Sequence, residues 1–306
     1  MIDRVVAVTG AAGFVGRPLC RALVQRGFTV RALVRDPVGA DLGPGVIAGR
    51  CVLPDEVDEA ALAGSEVLVH AAWATRESDI ERARRVNEDG THRLLDVATR
   101  LGITRRVFVS SIAARADAPS AYGRSKWAME RLFAGPNDLV LRPGLVLAAG
   151  GSGLFQQLLG AAERLHVVPI FSGGRQPLQT VHIDDLCNAM ATAIERRLTG
   201  MAAIAEREPI TMKAFLRAMT RERGLRCLFV PLPFAPVLAA LRAAERAGVT
   251  LPLRSESLLG LAGMQAVDVR ADLDRLGVPV RPALESLRQI FDADPRYISG
   301  RNRTRA

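Results

Sequence analysis

The chain has 306 residues, of which 49% are hydrophobic and 24% charged, proportions that suit one large α/β domain, or a large and a small one, in a soluble globular enzyme. Its formal net charge is +9, but the arginines are spread along helices and crowd the final RYISGRNRTRA, with no base-reading basic helix and little aromatic surface. Nucleic acid is therefore not the expected partner, and no apolar run reaches the roughly 18 residues of a membrane span.

Val5 to Thr9 reads as a buried parallel strand. Gly10, Gly13 and Gly16 follow at intervals of three, and an amphipathic run, Phe14 to Arg26, begins among them. A strand that ends in glycines and flows into a helix presents backbone N–H groups and the positive end of the helix dipole, which suit a pyrophosphate. A Cβ at these positions would obstruct the turn, the approach of the ligand or the packing of helix on strand. The second strand, Phe28 to Val34, ends at Arg35. The residue at this tip lies beside the adenosine ribose of a bound dinucleotide, where a base accommodates a 2′-phosphate, so NADP(H) is expected over NAD(H).

Val46 to Val52 reads as a third strand, 54–63 as a helix, and 66–72 as a strand emptying into Ala71 and Ala72, small residues that leave room for a cofactor. One long helix is expected over 77–101, then a strand over 106–111 ending in Ser111. This alternation predicts a parallel sheet with helices on both faces and a site at the carboxyl ends of the strands. Tyr122 and Lys126, four apart at the start of the next helix, share one face. A neighbouring ammonium favours the phenolate of a tyrosine whose free pKa is about 10. Tyr122 could then exchange the proton of a carbonyl–alcohol couple, with Ser111 bonded to the same oxygen and Lys126 to the nicotinamide ribose.

TGAAGFVG (9–16), HAA (70–72), VNEDGT (86–91), VSS (109–111), YGRSK (122–126), LRPG (141–144) and VHIDDL (181–186) occur in the order of the extended short-chain dehydrogenase/reductase family, the NAD-dependent epimerase/dehydratase group. The chain resembles that family over residues 1 to about 200. The resemblance implies a Rossmann-type doubly wound parallel sheet with a smaller C-terminal α/β substrate lobe. It implies Ser111, Tyr122 and Lys126 as the catalytic residues, with Gly10, Phe14, Val15 and Arg35 at the phosphates and adenosine. Ala71 and Ala72 would meet the middle of the cofactor and Pro143 the nicotinamide side. LRPG and the QxVHxDD pattern also resemble non-catalytic NADPH-binding relatives, redox sensors and an accessory subunit of respiratory complex I.

Two features depart from the nucleotide-sugar epimerases of the family. The arginine expected four residues before His182 is Leu178, the nearest arginine being Arg175, and Pro143-Gly144 stands where an asparagine is usual. Ser111 and Tyr122 are separated by only ten residues, which predicts a small loop over the substrate.

Further along, 138–142 reads as a strand, 154–165 as a helix, and His182, Asp184 and Asp185 as a strand end followed by a helix with Asp184 as N-cap, not as a metal site. Short elements and many prolines follow, including a helix over 234–247 that could line an apolar pocket or simply pack. The expected division is 1–205 for the nucleotide-binding domain, with about 145–175 partly in the lobe, 206–295 for the substrate lobe, and 296–306 for a flexible basic tail. Met1 leads straight into the first strand without a secretory pattern, and Cys20, Cys51, Cys187 and Cys227 form no CxxC pair, so a cytoplasmic protein is expected.

The function expected is hydride transfer between NAD(P) and a secondary alcohol or ketone, with a small-molecule substrate as partner and a homodimer left open. A nucleotide-sugar epimerase or dehydratase that retains its cofactor is the alternative enzyme. A non-catalytic NADPH-binding sensor or accessory protein is the alternative outside catalysis.

Overall fold

A computed structural model describes residues 4–40, 42–75, 77, 79–150, 153–249, 251 and 253–293; the expected tail, 296–306, lies outside them. The first strand, β1 (Val5–Thr9), is buried at every position, and α1 (Gly16–Gln25) buries Gly16, Leu19, Cys20 and Leu23, a stripe at i, i+3, i+4 and i+7. Then come β2 (Thr29–Val34) and β3 (Val46–Val52). The helix expected over 54–63 is mostly not one. The chain turns at Pro54 and Asp55, and β4 (Glu56–Val57) pairs antiparallel with Val52 and Cys51. Only α2 (Glu59–Leu62) is helical, its N-terminus fixed by the Asp58 carboxylate, which accepts from Ala61 N–H.

Strand β5 (Val67–His70) is again buried throughout. The long helix expected over 77–101 starts at Ile80 and is interrupted. Asp79 caps α3 (Ile80–Arg84), residues Arg85–Asp89 form a π-helical turn, and α4 (Gly90–Arg100) continues. Next are β6 (Arg105–Val109), α5 (Ala121–Glu130) and β7 (Leu139–Pro143). The short β8 (Leu145–Leu147) precedes α6 (Leu154–Leu165) and β9 (Val167–Ile170). Two more short strands, β10 (Pro177–Leu178) and β11 (Thr180–His182), lead into α7 (Ile183–Glu195). The N-cap of α7 is His182 rather than Asp184: its Nδ1 accepts from Asp184 N–H at 3.2 Å. Asp185 instead holds Arg281 through a forked pair at 2.9 and 2.6 Å.

The chain closes with β12 (Gly200–Ile204), β13 (Ile210–Thr211), α8 (Met212–Glu222), β14 (Leu228–Pro231), α9 (Phe234–Arg246), α10 (Ser255–Ala262), α11 (Arg270–Leu276) and α12 (Ala283–Asp292). Eight strands form one sheet in the order β12-β7-β6-β5-β1-β2-β3-β4, parallel except for β4. The order reverses at β1, whose two neighbours are β2 and β5, so a crevice opens where Thr9 and His70 end adjacent strands. This is the doubly wound parallel sheet expected from the alternating pattern.

Two main cores result. One lies on the sheet and contains Val8, Leu19, Val69, Leu141 and Met190. The other joins α6, α8 and α12 through Phe155, Phe215, Leu287 and Phe291, with Phe155 6.3 Å from Phe215 and 6.4 Å from Phe291 between ring centroids. The pairs β8–β11, β10–β13 and β9–β14 lie outside the large sheet. Their strands are two to four residues long, too short for periodicity to register. Helix α11 departs from the expected division, since Val269, Leu273 and Leu276 join the sheet core and Asp272 accepts from Ala203 N–H at 2.8 Å. Glu206 ties the two parts together by accepting from Thr180 N–H, the Thr180 hydroxyl and Ala283 N–H, each at 2.9 Å. Burial raises the pKa of its carboxyl against these three bonds. Cys20, Cys51 and Cys187 are buried packing residues, and desolvation pushes the thiols of Cys20 and Cys51 up to about 12.

Candidate active site

The glycine turn sits at the crevice. Gly10 has φ of +66°, and a Cβ there would lie 2.7 Å from Ala72 Cα, so the loop after β5 passes directly against the turn. A Cβ on Gly16 would collide with Gly10 O, which is why α1 can start so close to the strand. Gly13 N–H donates to Gly10 O at 2.8 Å and closes the turn. Phe14 and Val15 lie in this turn rather than in the helix. Val15, at the N-cap of α1, offers no side-chain acceptor, and no acidic residue occupies the first turn. The amino end of α1 is thus uncapped and electropositive, the setting a pyrophosphate requires.

A chain of hydrogen bonds fixes the crevice floor. Thr9 Oγ1 accepts from Ala72 N–H at 3.2 Å and lies 2.8 Å from His70 Nδ1. His70 Nε2 lies 3.0 Å from Thr91 Oγ1, which donates to Asn87 O. A carbonyl can only accept, so Thr91 accepts from His70 Nε2–H and Thr9 donates to Nδ1. Burial, aided by the charge of Lys126, pushes His70 down to about 3, so the ring is neutral. Asn87, within the π-helical turn, accepts from Ala74 N–H at 2.7 Å. Ala71, Ala72 and Trp73 therefore follow a course set by β1, β5 and the start of α4.

Ser111 and Tyr122 come together beyond the end of β6. Ser111 Oγ accepts from Ala113 N–H at 3.1 Å, and the Ser111 side chain lies near enough to the Tyr122 phenol to act on its pKa. Tyr122 stands one residue inside α5, whose N-cap Ser120 accepts from Gly123 N–H at 3.2 Å. A Cβ at Gly123 would be 2.6 Å from Ala113 O, so the helix is pressed onto the loop that follows Ser111. Tyr122 is 37% exposed, and its remaining surface is packed against protein. That packing raises the phenol above its usual 10, opposed by the nearby Ser111 side chain.

Lys126 stands one turn after Tyr122 on α5 and is buried. Its Nζ donates to Val109 O at 2.6 Å and lies 3.6 Å from the Trp73 ring centroid, and no hydrogen bond joins it to Tyr122. Desolvation holds its pKa well below 10.5, opposed by the Glu130 carboxylate. Glu130, one turn further along α5, is buried and accepts from Ser110 Oγ at 2.5 Å and from Arg142 at 2.8 and 2.5 Å. Glu130 and Arg142 escaped the sequence reading, although Glu130 stands four residues after Lys126 and was open to the same helical spacing argument.

Arg35 is exposed at the tip of β2. The neighbouring Asp36 carboxylate accepts from Val38 N–H at 3.1 Å within its own loop. Arg50, paired in register with Val34, donates to Arg35 O at 2.9 Å and to Glu56 at 2.7 Å, and puts a second guanidinium at this tip. Pro143 ends β7, and its carbonyl accepts from Ile112 N–H at 3.0 Å, one residue from Ser111. Leu178 is buried in β10 opposite Ile210, so no guanidinium occupies that position.

A separate apolar cavity of about 230 Å³ lies among α6, α8, α9 and α10 and does not include Ser111, Tyr122 or Lys126. Val237 and Leu241 of α9 line it. The same helix packs Phe234, Val237, Leu238 and Leu241 into an apolar cluster with Phe171 and Leu258, so it both packs and lines a cavity.

Comparison with known proteins agrees with this geometry. The model of the NAD dependent epimerase/dehydratase family matches residues 6–203. A ceramide reductase of Caulobacter vibrioides is 33% identical over 247 residues, covering 77% of this chain and 76% of its own. A 4-hydroxy-2-methyl-3-oxo-4-farnesyl-3,4-dihydroquinoline-1-oxide ketoreductase of Stigmatella aurantiaca is 31% identical over 268 residues, covering 78% and 79%. The human epimerase family protein SDR39U1, solved with NADPH, shares the fold, with a TM-score of 0.71 and 22% identity over 95% of this chain and 100% of its own. The chain belongs to the NAD-dependent epimerase/dehydratase family and is an NAD(P)-dependent oxidoreductase or epimerase of the extended short-chain dehydrogenase/reductase type.

Proposed function

We propose that the chain is an NADP(H)-dependent reductase of ketones, interconverting a ketone and its secondary alcohol, with Tyr122 as the proton donor. The observation that carries this reading is the packing of α5 onto the loop after Ser111, which brings Ser111 and the Tyr122 phenol together at the same edge of the sheet as the crevice in which Gly10 meets Ala72. A nicotinamide bound there supplies a hydride to a carbonyl carbon, or takes one from a carbinol. Tyr122 Oη gives the matching proton to the substrate oxygen in reduction and takes it back in oxidation. Ser111 Oγ, already accepting from Ala113 N–H, keeps its own hydrogen to donate to that oxygen. A phenol held protonated by its packing is the form that gives a proton, which suits reduction. Lys126 acts through space, its charge favouring the phenolate once the proton has left, and it bonds the nicotinamide ribose hydroxyls.

In this reading Gly10, Gly13, Phe14, Val15 and Gly16 hold the pyrophosphate, Ala71, Ala72 and Pro143 flank the nicotinamide half, and Arg35 with Arg50 receives a 2′-phosphate. Residues 1–205 hold the cofactor and 206–295 the substrate, with 145–175 shared and α11 returning to the first part. Two relatives are named as reductases of ceramide and of a farnesyl quinoline oxide, which supports a ketone over a nucleotide sugar. The apolar Leu178 in place of an arginine supports the same choice. The test is Tyr122→Phe, assayed by NADPH oxidation at 340 nm against a panel of ketones. Turnover should fall by about 10²–10⁴-fold, the usual contribution of general acid catalysis, with NADPH affinity kept within threefold. Undiminished turnover in the variant would overturn the assignment.

A further inference from the structure

The cavity in the small lobe lies outside the catalytic cluster, yet of its four helices α10 starts beside that cluster and α6 beside the glycine turn. Its described lining holds no charged side chain and is almost wholly hydrocarbon. Its volume, about 230 Å³, exceeds the ~150 Å³ of an apolar cavity that holds a benzene ring. We propose that this cavity seats a hydrocarbon chain carried by the substrate, so that the carbonyl reduced at Tyr122 belongs to a molecule with a long aliphatic or prenyl tail. The proposal rests on the ketoreductase reading and adds to it the place and chemistry of the substrate's far end.

Continuity between the two places comes from α6 and α10. Gly153, the N-cap of α6, lies against the Phe14 ring of the glycine turn: a Cβ there would be 3.5 Å from it. Gln157, about one helical turn or 5.4 Å further along, already lines the cavity, and Leu165 at the other end of α6 lines its outer part. Helix α10 runs the same way. Glu256 accepts from Ala121 N–H, next to Tyr122, at 2.7 Å. Leu258, two residues on, is fully buried in the cavity wall. At this end α10 makes a polar contact with the start of α5 and α6 meets the Phe14 ring, and both helices turn apolar side chains to the cavity further along.

The outer rim fits the same ligand. Leu165, Val167 and Leu251 line the cavity and remain 58%, 36% and 38% exposed. Apolar side chains held in water around an apolar opening are what a hydrocarbon chain covers. Helix α9 forms a thin wall, since Leu241 is its one buried residue. A nucleoside diphosphate would find no cation in this lining.

The test uses NADPH and methyl ketones from 2-pentanone to 2-tridecanone, with wild type, Ala161→Trp and Val237→Trp. Both substitutions fill the cavity from different walls and touch none of the catalytic residues. In wild type, kcat/KM should rise about three- to fourfold per methylene over several methylenes, as expected for CH₂ burial, and then level off. In both variants the long ketones should lose at least tenfold, while 2-pentanone stays within twofold and NADPH affinity is unchanged. A kcat/KM independent of chain length, or a rise that survives in a folded, NADPH-binding variant, would overturn the proposal. If no ketone is turned over by wild type, the catalytic reading fails. Saturable fluorescence of cis-parinaric acid, lost in Ala161→Trp, then still decides whether the cavity takes a hydrocarbon chain, and no saturable binding would refute it.

Discussion

At the carboxyl edge of the sheet, polar side chains have assigned partners: Thr9 and Thr91 on His70, Asn87 on Ala74, Ser110 and Arg142 on Glu130. A few residues along α6 and α10 the surroundings become hydrocarbon and the hydrogen bonds thin out. Proton and hydride transfer need atoms held to fractions of an ångström, and a closed set of directional bonds supplies that. An apolar wall specifies a volume and a polarity, not a set of atoms, and tolerates changes of shape that keep both. The two regions should therefore respond differently to substitution. At the crevice, isosteric changes should cost activity. In the cavity, only changes of volume should matter.

Removing a carboxylate without changing its shape tests the crevice through both stability and the pH–rate profile. Glu130→Gln leaves Arg142 without its ion-pair partner and Lys126 without the charge that opposes its desolvation. Stability should fall by roughly 2–3 kcal/mol, below the range for a wholly buried pair because Arg142 is 25% exposed. Urea denaturation measures that loss. The pH–rate profile should also shift, with the limb that reports Lys126 moving to lower pH. An unchanged profile in a folded variant would separate Glu130 from the chemistry.

His70 gives a comparable effect that depends on pH. Its folded pKa of about 3 lies below the unfolded 6.5, so between these values the unfolded chain binds one proton more than the folded one. Stability due to this residue is complete above pH 6.5 and is lost as pH falls toward 3, in all about 4–5 kcal/mol. His70→Asn should be less stable at pH 7 through lost hydrogen bonds and should show a flatter loss between pH 6.5 and 4. Parallel curves for the two proteins, from denaturation at a series of pH values, would contradict the neutral, buried imidazole.

The smallest effect is expected at the exposed end of the cofactor site. Arg35→Ala should weaken NADPH binding about tenfold, the lower end for hydrogen bonds to charged groups, and leave NADH binding unchanged. Fluorescence titration with both cofactors checks this, and equal losses for the two would remove the 2′-phosphate from the account.

The glycine turn was legible because its logic is local: a buried strand, three glycines and an amphipathic stripe all lie within 21 residues, Val5–Gln25. The places of Ser111 after β6 and of Tyr122 at the start of α5 were legible by order and spacing. The orientation of Lys126 was not, because Val109 O and the Trp73 ring reach it from β6 and from the loop after β5. The break in the helix over 77–101 was hidden for a similar reason: the π-helical turn serves Asn87, whose contact with Ala74 N–H is tertiary. The cavity is assembled from side chains of four helices and of β9, far apart in the chain, and could not be read from any one of them.

The account's central claim is that the amino end of α1 and the Tyr122 phenol serve one reaction. A crystal structure with NADP⁺ and an aliphatic ketone tests it most directly. The pyrophosphate should lie against the turn from Gly10 to Gly16, and the ketone oxygen should sit within hydrogen-bonding reach of both Tyr122 Oη and Ser111 Oγ, about 2.6–3.2 Å. A cofactor bound elsewhere, or a ketone oxygen remote from the phenol, would contradict it.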